Sequence, residues 1–163
     1  MNKLVTIGVL SGLLSAPISS ACNFTKEQDR LINLAASYGE AFGYQKTLAA
    51  IVVQESFVGR HVVRINPKDG LHGSYGITHV LLSTAMWLEG EKSQWQAKST
   101  IAPRLIHDDI YALRLAVKKL DSIGTDKGWI HLWSAYNGGS LAYAEKIRKH
   151  IRKLEQCGYF NWG

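Results

Sequence analysis

The sequence predicts a mainly α-helical domain with one small β element. Three observations carry this prediction. Apolar residues recur at helical spacing in several segments, residues 48–53 are apolar on nearly every side, and residues 61–65 ("HVVRI") have an extended pattern instead. A helix that is apolar all round has to be buried. We therefore expect a helical bundle around a central buried helix, with a small irregular or β-hairpin lobe.

The first 21 residues have the pattern of a secretory signal peptide. Lys3 supplies a positive start, residues 4–14 are mostly apolar, and the small residues 19–21 ("SSA") suit a signal peptidase. Residues 4–21 also carry no charge, so a weak signal anchor with transient membrane attachment is an alternative. Pro17 disfavours a third interpretation, a buried N-terminal helix. We expect an exported protein, periplasmic or associated with the cell wall.

Residues 22–163 form one predicted domain. They are long enough for a substantial core, and no linker or internal repeat interrupts them. The formal net charge of the chain is +6, which favours contact with anionic polymers of the wall or with lipid headgroups. The basic residues near the C-terminus are most simply the solvated face of a helix. We expect no nucleic-acid partner.

Two cysteines, Cys22 and Cys157, lie at opposite ends of this domain. In an oxidising compartment a disulfide between them would tie the termini together, with a stabilisation of about 4 to 5 kcal/mol in the chain-entropy model. Two free thiols, or a lipid on Cys22, are the alternatives. The lipid is disfavoured because Ser19 stands where a lipoprotein signal usually has Leu.

The first two helices are predicted from their caps and spacing. Thr25 and Gln28 form a capping-box pattern, and helical spacing continues to Gly43. The second helix is predicted from about Gln45 to Phe57, with Glu55 near its end. The turn-forming residues 66–70 ("NPKDG") follow the extended segment, and residues 77–88 are predicted to return to helix after Gly76.

Three further helices complete the prediction. Asp108 and Asp109 open the first of them, and Lys118 and Lys119 lie at its cation-favouring end. A short apolar helix covers residues 129–135, and the last helix runs over about 141–156. The residues predicted to share the apolar face of the first of these helices are Ile110, Leu113, Val117 and Leu120; those of the last are Ile147, Ile151 and Leu154.

Glu55 is the candidate acid of the sequence. A buried carboxyl disfavours its charged form, and the negative end of the helix dipole acts in the same direction. A carboxylic acid kept protonated can donate to a leaving oxygen, which is general acid catalysis. The alternative is an ordinary glutamate, solvated at the end of a helix.

Three motifs then occur in a fixed order. They are Glu55-Ser56 at the end of the buried helix, residues 73–80 ("GSYGITHV") trailed by Thr84-Ala85, and residues 135–139 ("AYNGG"). With the helix "IYALRLAVKKL" between the last two, this set resembles the catalytic domain of the soluble lytic transglycosylases. Those are murein-cleaving enzymes with a goose-type lysozyme-like fold. The resemblance spans most of the domain, from residue 48 to 144.

The resemblance implies roles for individual residues. Glu55 would be the single acid/base, donating to the glycosidic oxygen and then taking a proton back. Ser56 would orient nearby polar groups, and Tyr136 with Asn137 would lie near the Glu55 carboxyl and the muramic acid. Thr78 and His79 depart from the family, which usually has Met and Gln there. The residues assigned to substrate binding are Ser56, Ser74, Tyr75, Ile77, His79, Tyr136 and Asn137.

A single carboxylate suffices for a lytic transglycosylase. Most glycosidases use two carboxylates, but here the N-acetyl group and the C6 hydroxyl of the substrate would replace the second. If Asp69 positioned a water molecule, the enzyme would instead be a hydrolytic lysozyme, for example a phage endolysin of the signal-arrest-release type. Asp69 is also a common turn residue before Gly70. A non-enzymatic wall-binding or membrane-active protein is the third hypothesis.

Cofactors and metals are not expected. The six histidines have no metal-binding spacing, and no glycine motif for phosphate occurs. Exposed aromatic residues would suit stacking on sugar rings, although most aromatic residues belong to cores. The aromatic candidates are Tyr75, Trp87, Trp95, Trp129, Trp133 and Tyr136. The expected partner is the glycan of peptidoglycan, in a secretion, conjugation or phage setting.

Overall fold

The computed structural model describes residues 22–65 and 73–160. Within them the chain is mainly helical, with one small three-stranded antiparallel sheet, as predicted. The predicted signal segment and the turn that contains Asp69 lie outside the described residues. Among the described helices, none has the length and apolar character needed to cross a membrane.

The elements follow one another from the N-terminus. The helices are α1 (Lys26–Glu40), α2 (Gln45–Ser56), α3 (Leu82–Glu89), α4 (Gln94–Gln96), α5 (Ala102–His107), α6 (Asp109–Ile123), α7 (Trp129–Tyr136) and α8 (Leu141–Gln156). A π-helical turn, Ala97–Ile101, joins α4 to α5. The strands are β1 (Val63–Arg64), β2 (Ser74–Tyr75) and β3 (Val80–Leu81).

Helix α1 begins with the predicted capping box. The Thr25 hydroxyl accepts from the Gln28 backbone N–H at 3.2 Å, and the Gln28 side chain accepts from the Thr25 N–H at 3.0 Å. These bonds satisfy two backbone donors that a helix start leaves free. The buried face of α1 then packs against α2.

Helix α2 is the central helix. Its residues from Thr47 to Val52 are buried, and it contacts α1, α6 and α8. It ends at Ser56 because Phe57 and Val58 both adopt left-handed backbone conformations, with φ of 49° and 55°. Such angles are unfavourable for bulky or branched side chains. The strained turn therefore begins two residues after Glu55.

The sheet partly contradicts the sequence prediction. The extended segment predicted over 61–65 is confirmed at its centre, since β1 (Val63–Arg64) pairs with β2. Residues 77–81, however, are a turn and strand β3 rather than the start of a helix, and α3 begins only at Leu82. Gly76 has φ +80°, and a Cβ there would collide with the Leu105 carbonyl oxygen. Close packing against α5 thus stops the helical run suggested by the apolar residues.

The remaining helices mostly agree with prediction. Helix α6 starts at the Asp108 cap, whose carboxylate accepts from the Tyr111 N–H at 2.9 Å. Leu113, Val117 and Leu120 are buried, but Ile110 is 45% exposed, so it does not belong to their face. Helix α8 has the predicted bounds. Ile147 and Leu154 lie in the core, and Ile151 is partly buried against it.

The two ends of the described chain are joined. Cys22 and Cys157 form the expected disulfide, with 5.5 Å between their Cα atoms across a sequence separation of 135 residues. Closing so long a loop restricts the unfolded chain and stabilises the fold by roughly 4 to 5 kcal/mol in the chain-entropy model. Phe24 packs edge-on against Tyr159 beside it.

Candidate active site

Glu55 lies in the last turn of α2 and points into the protein. Its side chain is only 9% exposed. An ordinary glutamate at a helix end would extend into water, so the solvated alternative does not describe this residue. Removing a carboxylate from water has a free-energy cost unless polar groups replace the water. The side chains around Glu55 therefore determine how its carboxyl is stabilised and what chemistry it can perform.

Ser56 has a backbone role in place of the expected substrate contact. It is fully buried. Its hydroxyl donates to the Val52 carbonyl at 3.1 Å and accepts from the Gly59 N–H at 2.9 Å. The hydroxyl is buried and its proton is donated inside the protein, so the structure gives Ser56 no direct contact with a glycan. Ser56 ends α2 and stabilises the turn that follows Glu55.

His79 is a titratable neighbour of Glu55. Its Nδ1 lies 3.5 Å from Glu55 Oε2, and its side chain is 5% exposed. Its Nε2 lies 2.5 Å from the backbone oxygen of His61. The backbone at His79 is left-handed, with φ 45°. A residue expected to line the saccharide groove is thus largely buried, between Glu55 and the start of the sheet.

Tyr136 ties α7 to the turn that carries His79. Its hydroxyl donates to the Thr78 carbonyl at 3.1 Å, and the Thr78 hydroxyl donates to the Ala112 carbonyl of α6 at 3.2 Å. Burial raises the pKa of Tyr136, and the nearby Glu55 charge raises it further. Tyr136 therefore stays protonated, and its described hydrogen bond is to the protein backbone.

Tyr143 of α8 completes this side of the site. Its ring stacks on Tyr136, with 6.4 Å between centroids. Burial raises the pKa of Tyr143, and the charge of Glu55 adds to the effect. The hydroxyl is buried and no partner lies at a hydrogen-bonding distance and angle. The Glu55 carboxyl is nevertheless close enough to raise the pKa of the hydroxyl. A buried donor left in this way is available to an adjacent carboxyl or to a ligand.

Lys119 supplies the cation of the site. Its ammonium nitrogen lies 4.1 Å from the centre of the Tyr136 ring. Burial lowers the pKa of Lys119 to about 8, while the negative charge of Glu55 opposes that change. The adjacent Lys118 points elsewhere and pairs with Glu89 at 2.8 Å. Only one of the two lysines at the end of α6 therefore belongs to the site.

The other predicted site residues are more peripheral. Ser74 and Tyr75 form β2 and are half-buried, so part of each side chain is accessible. The Ile77 side chain is buried in the core, which leaves only its backbone for a substrate. Asn137 caps the end of α7 and is exposed. The structure thus brings together Glu55, His79 and Tyr136, and leaves Asn137 at the surface.

The exposed tryptophans are not part of this cluster. Trp87 and Trp95 are largely exposed, on α3 and α4. Trp129 and Trp133 line a cavity of about 500 Å³ together with Tyr44 and Thr47. That cavity lies at the N-terminal end of α2, and the eight residues from Thr47 to Glu55 correspond to about 12 Å along a helix. It is therefore separate from Glu55.

The described residues contain no group of three or more side chains suited to hold a metal ion. No family model, curated protein or solved structure matches this chain. The chemical interpretation therefore depends on the geometry around Glu55 and on the motif order.

Lys119 and Tyr143 were missed from the sequence, although the spacing contained the necessary information. Lys119 is seven residues after the buried Ala112 and lies on the same side of α6, which places this lysine beside the core. Tyr143 is four residues before the buried Ile147 on α8. A polar side chain on a buried stripe is a strong indication of a site.

Proposed function

We propose that this protein is an exported lytic transglycosylase that cleaves the glycan strands of peptidoglycan. The observation that carries the proposal is the largely buried Glu55 carboxyl, which lies 3.5 Å from His79 and close enough to three further side chains for its charge to act on their pKa; these are Lys119, Tyr136 and Tyr143. The three sequence motifs that resemble the soluble lytic transglycosylases supply Glu55, His79 and Tyr136. A goose-type lysozyme-like fold is part of the proposal, and the mainly helical architecture with a small sheet is consistent with it.

The proposed first step is proton donation by Glu55. Its proton goes to the oxygen that links a muramic acid residue to the following glucosamine. The bond from the muramic acid C1 to that oxygen breaks, and the glucosamine leaves as an alcohol. The N-acetyl group of the muramic acid stabilises the positive charge that develops at C1. Glu55 is then a carboxylate, and the Lys119 ammonium and the Tyr143 hydroxyl stabilise its charge.

The proposed second step closes a ring. The C6 hydroxyl oxygen of the same sugar attacks C1, and its proton passes to Glu55, which restores the acid. No water is consumed. Holding the hydroxyl beside C1 makes this an intramolecular reaction, and such reactions gain several kcal/mol from pre-paid entropy. A second carboxylate is therefore unnecessary.

Accessible polar groups near the buried acid suit a saccharide. Ser74 and Tyr75 lie along β2, and the exposed Asn137 follows Tyr136 at the end of α7. Together they would line the groove in which the glycan lies. The Cys22–Cys157 disulfide is compatible with the proposed export, because disulfides persist in oxidising compartments.

Replacement of Glu55 by Gln tests the function. Gln keeps the size of the side chain but cannot donate an acidic proton, so release of soluble fragments from purified peptidoglycan should fall by about 100-fold or more. Glu145→Gln is the matched control, because Glu145 forms a surface ion pair with Arg148 on α8. It should retain wild-type activity.

The same pair of variants separates an enzyme from a membrane-active protein. The exposed basic residues of α8 are Lys146, Arg148, Lys149, Arg152 and Lys153. If wall lysis came from this basic face, Glu55→Gln would lyse as well as the wild type. Dye leakage from anionic lipid vesicles would then also accompany lysis. Unchanged activity in Glu55→Gln removes Glu55 from the mechanism and overturns the proposed function.

A further inference from the structure

His79 is held in an unusual position. Its backbone lies in the left-handed region, with φ 45°, and its N–H donates to the Gly76 carbonyl at 3.1 Å. Histidine tolerates this conformation better than branched residues do, but it still has a cost in free energy. The conformation directs the imidazole inward, where its side chain is 5% exposed. Strain of this kind is often found at functional sites.

The hydrogen-bond partner of Nε2 determines which ring nitrogen of His79 carries the proton. Nε2 lies 2.5 Å from the His61 backbone oxygen. A carbonyl oxygen can only accept, so Nε2 must carry the hydrogen and donate it. A neutral His79 is therefore the Nε2–H tautomer, and its Nδ1 is a bare acceptor.

That bare nitrogen faces the candidate acid. Nδ1 lies 3.5 Å from Glu55 Oε2. A carboxylate oxygen and an imidazole lone pair repel each other, so the contact is favourable only with a proton between the two atoms. The distance is longer than a formed hydrogen bond, as is common for catalytic contacts before a substrate binds. The contact is therefore suited to a proton held between the two atoms.

We propose that His79 is the proton partner of Glu55, a positioning residue that holds Oε2 through one shared proton and leaves Oε1 for the substrate. This role deepens the proposed function and rests on it. In the reactive state the pair carries two protons, one on Glu55 Oε1 and one between His79 Nδ1 and Oε2. Glu55 gives the Oε1 proton to the leaving oxygen, and the proton on Nδ1 stays in place and stabilises the new carboxylate. When Glu55 recovers a proton from the C6 hydroxyl, the original state returns. Protons and charge balance over the two steps.

The other groups around Glu55 cannot perform this role. Lys119 of α6 contributes a positive charge, and Tyr136 of α7 and Tyr143 of α8 contribute hydroxyls that stay protonated. The two hydroxyls stay protonated and Lys119 carries its charge below about pH 8, and none of the three combines a donor nitrogen with an acceptor nitrogen in one side chain as an imidazole does. The soluble lytic transglycosylases usually have Gln at the position of His79, and Gln can accept or donate but does not titrate. His79 therefore differs from that Gln in the chemistry that it presents to Oε2.

Nitrogen-15 NMR of the histidine rings tests the pairing without any activity assay. The wild-type protein is expected to show His79 as the Nε2–H tautomer when neutral. The pH at which its ring signals change should differ between the wild type and Glu55→Gln, and should be the same in the control Glu145→Gln. An Nδ1–H tautomer, or an identical titration in Glu55→Gln, overturns the proposal.

Kinetics of His79→Gln provide the second test. Gln can still donate to the His61 carbonyl, so we expect KM within about 2-fold of wild type and kcat lower by about 10- to 100-fold. One ionisation should disappear from the pH dependence of kcat. A pH profile of unchanged shape would mean that His79 is only structural. If the His79 ring signals depend on Glu55 but the wild-type protein cleaves no peptidoglycan, the proposed function alone is contradicted. If the protein cleaves peptidoglycan but the His79 signals do not depend on Glu55, the His79 proposal alone is contradicted.

Discussion

The two ends of helix α2 are both lined by aromatic residues, but they differ in chemistry. At the N-terminal end, Tyr44, Trp129 and Trp133 surround a cavity of about 500 Å³. There the Trp133 indole N–H is satisfied, because it donates to the Thr47 hydroxyl at 3.1 Å. At the C-terminal end, Glu55 is buried beside the Tyr143 hydroxyl, which makes no satisfactory hydrogen bond.

This difference shows that volume alone does not identify a site. The N-terminal end has room for a ligand, yet its buried polar atoms are paired in the way that a stable core requires. The C-terminal end combines a largely buried acid, a half-buried lysine and strained backbone at Phe57 and His79. Such features lower stability and are retained where they serve a function. Variants at the two ends should therefore behave differently.

The largest loss of stability is expected from a substitution at Gly76, in the turn that carries His79. Gly76→Ala should lower the free energy of unfolding by about 3 kcal/mol or more, because φ +80° is unfavourable and the Cβ collides with the Leu105 carbonyl. Gly43→Ala, next to the other end of α2, is the control. Its φ is +75°, but no atom lies near the new Cβ, so the cost should be about 1 kcal/mol. Urea denaturation measures both, and equal losses would contradict the packing at Gly76.

Lys119→Met should stabilise the protein at neutral pH. Because burial lowers the pKa of Lys119 from 10.5 to about 8, its charged form costs about 3 kcal/mol in the folded state below pH 8. Loss of the cation–π contact with Tyr136 offsets part of the gain. We expect a net gain of about 1 to 2 kcal/mol at pH 7.

The change in folding stability with pH tests this account of Lys119. Between pH 8 and 10.5 the unfolded state binds the proton that folded Lys119 has lost, so the wild-type protein gains stability as pH rises. The advantage of Lys119→Met should therefore shrink over that range. Lys118→Met, at an exposed lysine paired with Glu89, serves as the control. A constant difference between Lys119→Met and wild type from pH 7 to 10 would show that Lys119 is not buried as described.

Tyr143→Phe should separate activity from stability. Removing the hydroxyl deletes a buried group without a satisfactory partner, so the free energy of unfolding should stay the same or rise. Release of fragments from peptidoglycan should fall by about 10-fold, because one donor beside the Glu55 carboxyl is lost. Thermal unfolding and the release assay on one preparation measure the two effects. A fall in stability together with full activity would contradict this role.

The smallest effect on activity is expected at the opposite end of α2. Trp133→Phe loses the hydrogen bond to Thr47 and part of the buried ring, and should lower stability by about 1 to 2 kcal/mol. Activity should remain within about 2-fold of wild type at a temperature where both are folded. A loss comparable to that of Tyr143→Phe would mean that the cavity takes part in the reaction.

Locally determined features were predictable from the sequence. The Thr25 capping box, the end of α2 to within one residue and the bounds of α8 depend on residues within a few positions of one another. The buried acid was predicted as well, because Glu55 follows a run that is apolar on all sides. Helix propensity and capping act over such short ranges, so one sequence suffices to reveal them.

Features that depend on distant contacts were not predictable. Residues 77–81 have the apolar pattern of a helix, but Gly76 packs against Leu105 and His79 takes a left-handed conformation, so a turn and a strand form. The contact of Lys119 with the Tyr136 ring depends in the same way on how α6 packs against α7. Ser56 resembled a substrate ligand in sequence, and only its bonds to Val52 and Gly59 reveal its backbone role.

Mass spectrometry of the fragments released from purified peptidoglycan, with the reaction run in heavy-oxygen water, decides most directly how the Glu55 acid works. With the C6 hydroxyl as nucleophile, the muramic acid ends are 1,6-anhydro sugars, lighter by one water molecule and free of the label. Reducing ends that carry heavy oxygen would contradict this mechanism. They would show that a water molecule attacks C1, as in a hydrolytic lysozyme.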